Sequence, residues 1–233
     1  MNKNIFLLLI IIPCFILSCK KNTTAPPNDS SLNIINAAAN IPSVVVNFSD
    51  AAIPFYQNQA FINYSSSLEY GFPSGVTPIV IVSSSDTAKP VFQGNLTLAS
   101  GGIYSLYLIG QSIRPDTLLM EDHIVNYTPD LAGVRFINLS PDSGPVSVNI
   151  QGNATTQTEF NSLAYKQISD FKTYDAGVQY GNYTFEVRDQ ASGNLLTTFT
   201  WNYTSSKNNT LVISGSVDSA SSTPITVFQV NSY

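Results

Sequence analysis

The hydrophobic pattern changes character near residue 31. Before it lies a single apolar run, Ile5 to Leu17, broken only by Pro13. Beyond it, no stretch sustains the 3.6-residue apolar period of an amphipathic helix. Short segments rich in Val, Ile, Thr, Tyr and Phe instead alternate with clusters of Gly, Pro, Asn, Asp and Ser. These segments predict strands at 32–37, 43–49, 60–64, 78–84, 90–98, 103–110 and 117–120. A second series follows at 133–139, 145–151, 164–169, 181–189, 195–203, 209–215 and 225–230. The stretches from Ala99 to Gly102 and from Asp189 to Gly193 read as hairpin turns.

The two series are copies of each other. Segment 32–48 lies over 134–150 at a constant offset of 102, so that Ile35, Asn36, Val44, Val46 and Asn47 recur as Ile137, Asn138, Val146, Val148 and Asn149. Segment 106–110 lies over 211–215 at an offset of 105. A repeat of about 100 residues that shares both its opening hairpin and its closing strand is a duplicated domain, not a short-period solenoid. About seven strands per copy predict an all-β chain of two tandem immunoglobulin-like β-sandwiches, one over 32–126 and one over 132–233.

The apolar run at the start reads as a targeting segment. Lys3 supplies a positive n-region, and thirteen residues are too few to span a bilayer. Ile16-Leu17-Ser18-Cys19 resembles a bacterial lipobox, in which a small residue precedes a cysteine that is acylated and becomes the new N-terminus. Residues 1–18 are then a removed signal peptide, and Cys19 is the lipidation site. Residues 19–31 carry the lipid and a polar, proline-bearing tether. Cys14 leaves with the signal, so the remaining cysteine is used by the lipid and no disulfide forms within the chain. The expected address is the outer membrane of a Gram-negative cell envelope, with the membrane engaged through the lipid. Lys20, Lys21 and Asn22 stand where some surface-displayed lipoproteins carry acidic residues, which leaves the face of the membrane undecided.

Charge narrows the partners. With Asp+Glu at 15 against Lys+Arg at 10, the net charge of −5 argues against nucleic acid. His123, the only histidine, sits in Glu121-Asp122-His123 without a nucleophile elbow elsewhere, and reads as part of a solvated inter-domain loop. One histidine and no free thiol exclude the usual zinc sites. Asp142 has too few neighbouring oxygen donors for calcium. The expectation is no enzyme, no cofactor and no metal, with a hydrolase as a remote alternative.

The run from Gly133 to Val146, GVRFINLSPDSGPV, resembles the opening of the family known only as domain of unknown function 4397. Gly181 to Val187, GNYTFEV, and the closing apolar strand Leu211 to Gly215 are similar to its later elements. The resemblance implies an exported sandwich, often on lipoproteins, and brings no catalytic residues. Within the motif, Pro141 presets a turn, and Ser140, Asp142 and Asn138 suit local backbone hydrogen bonds.

Phe199, Trp201 and Tyr203 fall on one face of a strand, either as core or as an exposed platform for sugar rings or a protein. Thr87, Thr117 and Ser219, each between an Asp and an aliphatic residue, resemble acceptors of bacterial O-glycosylation. The function expected from these features is non-catalytic binding of a glycan or protein through loops or an aromatic face. The alternative is a structural component that assembles through strand edges. The anchor is directly testable. Cys19→Ser should leave the protein unlipidated and in the soluble fraction after cell lysis, and membrane retention of that variant would refute the lipobox.

Overall fold

The computed structural model describes residues 29–49, 60–111, 114–177 and 181–232, and every regular element among them is a strand. The first eight are β1 (Asp29–Asn36), β2 (Ser43–Asn47), β3 (Phe61–Asn63), β4 (Ser66–Pro73), β5 (Gly75–Ser83), β6 (Asp86–Leu98), β7 (Ile103–Gln111) and β8 (Arg114–Glu121). The second eight are β9 (Leu131–Asn138), β10 (Val146–Ile150), β11 (Thr158–Leu163), β12 (Lys172–Asp175), β13 (Asn182–Asp189), β14 (Leu195–Asn202), β15 (Asn208–Ser214) and β16 (Thr226–Ser232). The signal segment, Cys19 and most of the tether lie outside the described residues. The tether is shorter than its expected end at residue 31, because β1 already begins at Asp29, pairing with Pro73.

Four sheets of four strands result. Their orders are β4-β1-β7-β8 and β3-β2-β5-β6 in the first half, and β12-β9-β15-β16 and β11-β10-β13-β14 in the second. Adding eight to each label of the first half reproduces the second. In both halves the first strand runs parallel to the seventh. Ile35 stands opposite Tyr107, and Ile137 opposite Val212, so the two offsets of the repeat relate positions that are neighbours in the sheet.

Burial patterns show how the sheets stack. In β14 the exposed and covered positions largely alternate, as for a sheet with one wet face. In β7, β9 and β15 nearly every residue is buried. Those strands lie in the two inner sheets and are covered on both faces. One face of β1 and β7 (Leu32, Ile34, Leu106, Leu108) packs on Val44, Val46, Ile79 and Ile81 of the first outer sheet. The other face (Ile35, Ala37, Tyr107, Ile109) packs on Ile137, Leu139, Val212, Phe228 and Val230 of the second half. The far side of that second inner sheet (Val134, Phe136, Leu211, Ile213) completes the other core with Val146, Val148, Phe185 and Trp201. The molecule is a stack of four β-layers with three apolar seams.

The middle seam holds a buried ion pair. Asp122, just past β8, accepts from the Ser105 hydroxyl at 2.6 Å and from the Arg135 guanidinium. Arg135, on β9, also donates from Nε to Thr210 Oγ1 at 2.9 Å and lies 4.6 Å from the centre of the Phe171 ring. The two charged side chains are only 7% and 3% exposed. Beside them burial pushes the Tyr107 phenol up to about 12, so it stays protonated. The reading of Glu121-Asp122-His123 as a solvated loop therefore fails at Asp122, whose carboxylate leaves water to meet a cation thirteen residues further on.

Three strands went unpredicted, namely β4, β11 and β12. Leu68, Tyr70 and Phe72 do alternate in β4, but Ser66, Ser67, Gly71 and Pro73 between them read as punctuation. β12 spans four residues with one buried side chain, Tyr174. The strand expected at 164–169 is displaced to β11, and only Ile168 keeps a bridge, to Ile137.

Removing one partner of the buried pair strands the other charge, so Arg135→Ala should cost about 3–5 kcal/mol of unfolding free energy. Arg135→Met combined with Asp122→Leu should cost less than either single replacement, and urea unfolding of the double-mutant cycle measures the difference.

Candidate functional site: the cleft at the junction of the two sandwiches

Each copy opens with a strand, a turn and a return strand, and an asparagine at the end of the first strand holds that turn. Asn138 Nδ2 donates to the carbonyls of Gly144 and Leu163 at 3.1 and 3.0 Å, while its Oδ1 accepts from the Ser140 N–H at 3.0 Å. Asn36 does the same in the first copy, reaching the carbonyls of Ile41 and Ile62 at 3.0 and 3.3 Å and the Ala38 N–H at 3.3 Å. Both asparagines are fully buried, and without these bonds the buried backbone groups would be unsatisfied.

The turns grip one loop from two sides. Between β15 and β16 the chain makes a long excursion from Ser214 to Thr226, whereas the equivalent excursion of the first copy runs only from Gln111 to Arg114. Ser140 Oγ lies 2.8 Å from the Gly215 carbonyl, and Asp142 accepts from the Ser216 hydroxyl at 2.5 Å and the Val217 N–H at 3.1 Å. Burial works against the Asp142 carboxylate, but the bonds from Ser216, Val217 and Ser140 outweigh it and hold its pKa below the ordinary value. Asn40 is the counterpart of Asp142 in the first copy. It adopts a left-handed backbone (φ 65°), and its Oδ1 accepts from the Ser222 and Thr223 hydroxyls at 2.5 and 2.8 Å. Gly215 is required in this loop, since at φ 90° a Cβ there would come within 2.3 Å of the Pro224 carbonyl oxygen.

Between the first-copy turn and this loop lies a cleft of about 570 Å³. Asn40, Ile41, Pro42 and Tyr64 form one wall, and Ser222, Thr223, Pro224 and Thr226 form the other. Tyr64 is half-buried and fixed in place. Its hydroxyl donates to Ser214 Oγ at 3.1 Å, and Ser214 in turn donates to the Ala37 carbonyl at 2.7 Å. Its ring lies 6.5 Å from that of Phe228. Burial raises the Tyr64 pKa against the lowering by Ser214 and Ser65, so the ring carries a neutral phenol. In the second copy the place of Tyr64 is taken by Tyr165, but there Lys166 lies over the ring and pairs with Asp116 at 2.5 Å, bridging the junction.

The residues singled out from the sequence fall elsewhere. Trp201 is fully buried and donates from Nε1 to Asn209 Oδ1 at 2.9 Å. Its ring packs against Tyr174, Tyr183 and Phe185, and half-buried Phe199 and Tyr203 flank the same core. The stripe is thus core, and its reading as an exposed platform is corrected by the sheet face it occupies. Tyr203 covers Gly181 so closely that a Cβ there would push the Tyr203 ring aside. His123 is exposed. Thr87 and Ser219 are exposed beyond Asp86 and Asp218, whose carboxylates accept from Ala88 and Ala220 N–H groups at 3.1 and 2.9 Å. Thr117 is half-buried within β8, opposite Leu108. Among the described residues no group of three or more His, Cys, Asp or Glu is placed to hold a metal ion. Tyr64 escaped the sequence reading. Its only signal was its position after an apolar strand, equivalent to Tyr165 in the other copy.

The protein is thus an all-β chain of paired sandwiches whose motif residues fix loops. It belongs to the family described as Domain of unknown function (DUF4397), whose model matches residues 30–149, from β1 into β10. No curated protein sequence matches the chain. Among solved structures it is similar to a family 26 carbohydrate-binding module of Eubacterium rectale Amy13K, crystallised with maltoheptaose, at 10% identity and a TM-score of 0.28, covering 87% of this chain and 97% of that one. It is also similar to the TIE protein of Bacillus anthracis, at 10% identity and a TM-score of 0.24, covering 81% and 34% of the two chains. Likenesses of this strength carry no functional argument.

Burial of the one tryptophan has a direct optical consequence. Trp201 emission should be blue-shifted and poorly quenched by acrylamide in the folded protein, with strong quenching only after denaturation. Efficient quenching in buffer would place the stripe outside the core.

Proposed function

We propose that this chain is a lipid-anchored protein of the bacterial cell envelope that binds a ligand without chemistry, in the cleft between its two sandwiches. The observation that carries the reading is the long β15–β16 loop. It breaks the symmetry of the repeat, is clamped by both opening turns, and builds a preformed concave wall opposite Tyr64. Sites of this kind sit preferentially at domain junctions, with volumes of about 300–1,000 Å³. A rigid cleft loses little freedom when it is filled, which favours binding. The anchor at Cys19 holds this body at the membrane through the tether. Catalysis finds no support in the site, where Asn40 and Thr223 are committed to holding the loop and no acid–base pair converges.

The reading is tested inside the producing cell. A photoreactive benzoylphenylalanine introduced at Ser222 should yield covalent adducts on irradiation. The same group at Thr198, on the exposed face of β14, should yield few. Equal adduct formation from both positions, or none from Ser222, would remove the cleft as the binding site.

A further inference from the structure

We infer that the junction cleft takes a neutral saccharide, whose ring stacks on Tyr64 and whose hydroxyl groups bond to the amide and hydroxyl rim. This rests on the binding reading above and names the ligand class of the same site. Three features of the cleft select that chemistry.

The first is charge. None of the residues lining the cleft carries a charged side chain, although the whole protein has a net charge of −5. Sulfated, phosphorylated or carboxylated ligands would find no cation there to offset their desolvation. The twin position in the other copy shows the contrast, because there the ring of Tyr165 is covered by Lys166 and its partner Asp116.

The second is the platform. Tyr64 presents an aromatic ring whose orientation is set before any ligand arrives, by its bond to Ser214 and by contact with Phe228 across the junction. Pro42 and Pro224 add rigid apolar edges on the two walls. A pyranose ring has one face of C–H groups that fits an aromatic plane, and a rim of hydroxyls that needs polar partners.

The third is the rim. Asn40 uses its Oδ1 within the protein, which leaves its Nδ2 as a donor at an exposed position. Ser222 donates to Asn40 and retains acceptor capacity, and Thr226 lines the same wall. Donors and acceptors thus line the cleft together with the apolar Ile41, Pro42 and Pro224. A lipid tail would leave those donors and acceptors unpaired. A second cleft of about 390 Å³ shares Asn40 and Ile41 with the first, but Asp86 and Lys89 line it, so the uncharged site is confined to the first cleft.

The test uses the full-length protein, solubilised in detergent, on an array of neutral oligosaccharides (gluco-, galacto-, manno- and xylo-linked) beside sulfated and uronic acid glycans. The expected result is binding confined to neutral glycans. Tyr64→Ala and Thr226→Arg should each weaken it by at least about tenfold, the loss of one well-packed contact. Thr198→Ala should bind as the parent does, and Trp201 emission reports whether each variant is folded. Neutral-glycan binding that survives both cleft variants would overturn this site while leaving a binding protein. Binding to anionic glycans alone would overturn the ligand class. If no glycan binds but position 222 still yields protein adducts in cells, the saccharide inference falls and the binding reading stands. Absence of both removes the two together.

Discussion

The structure depends on the central strands of two sheets being buried on both of their faces. A strand in that position has no solvent to hydrate a stray charge, so a charged side chain that enters the middle seam must bring its partner. Arg135 and Asp122 meet this demand from opposite halves, since Asp122 is tied to β7 through Ser105 while Arg135 is tied to β15 through Thr210. The pair contributes less through attraction than through what its absence would leave behind. It ties the linker after β8 to β9 across the middle seam. The same accounting explains the buried asparagines, each of which pairs backbone groups that a turn leaves open.

The family motif takes a physical meaning from this arrangement. Its arginine neutralises the linker acid, its phenylalanine fills the second core, and its asparagine pins the turn. Its serine and aspartate then hold the start of the β15–β16 loop. None of these tasks is chemistry, yet together they shape the one wall of the cleft that the first copy cannot supply.

Much of the architecture was legible along the chain because short Val-, Ile-, Tyr- and Phe-rich segments separated by turn residues mark strands, and the repeat offsets fix which strands correspond. Double-sided burial was not legible, because β7, β9 and β15 carry Ser105, Arg135 and Asn208 to Thr210 among their apolar residues. The alternation of Phe199, Trp201 and Tyr203 was visible too, but a period of two says only that three side chains share a face, not which face meets the core. Asp122 was misread for a related reason. Three polar residues in a row look solvated unless the partner is known, and Arg135 becomes that partner only when β9 docks beside the first sandwich. The cleft lay beyond sequence reading, since Tyr64 and Pro224 become neighbours only through the packing of two separate folding units. β4 shows the limit on elements, because a glycine and a proline hid an alternation that was present.

The middle seam is built from the same positions on both sides. Ile35 and Ile137, Ala37 and Leu139, Tyr107 and Val212, Leu118 and Phe228, and Met120 and Val230 are counterparts, and all belong to one cluster. That is the composition of an isologous interface, the kind that two identical subunits form about a twofold axis. The chain therefore behaves as a dimer whose subunits have been joined end to end, with the linker replacing encounter by tethering. Joining them frees each side to change alone, which is how one half can carry a long loop and the other a short one. A single half cut free at the linker would expose its share of the seam and be driven to find a second copy of itself.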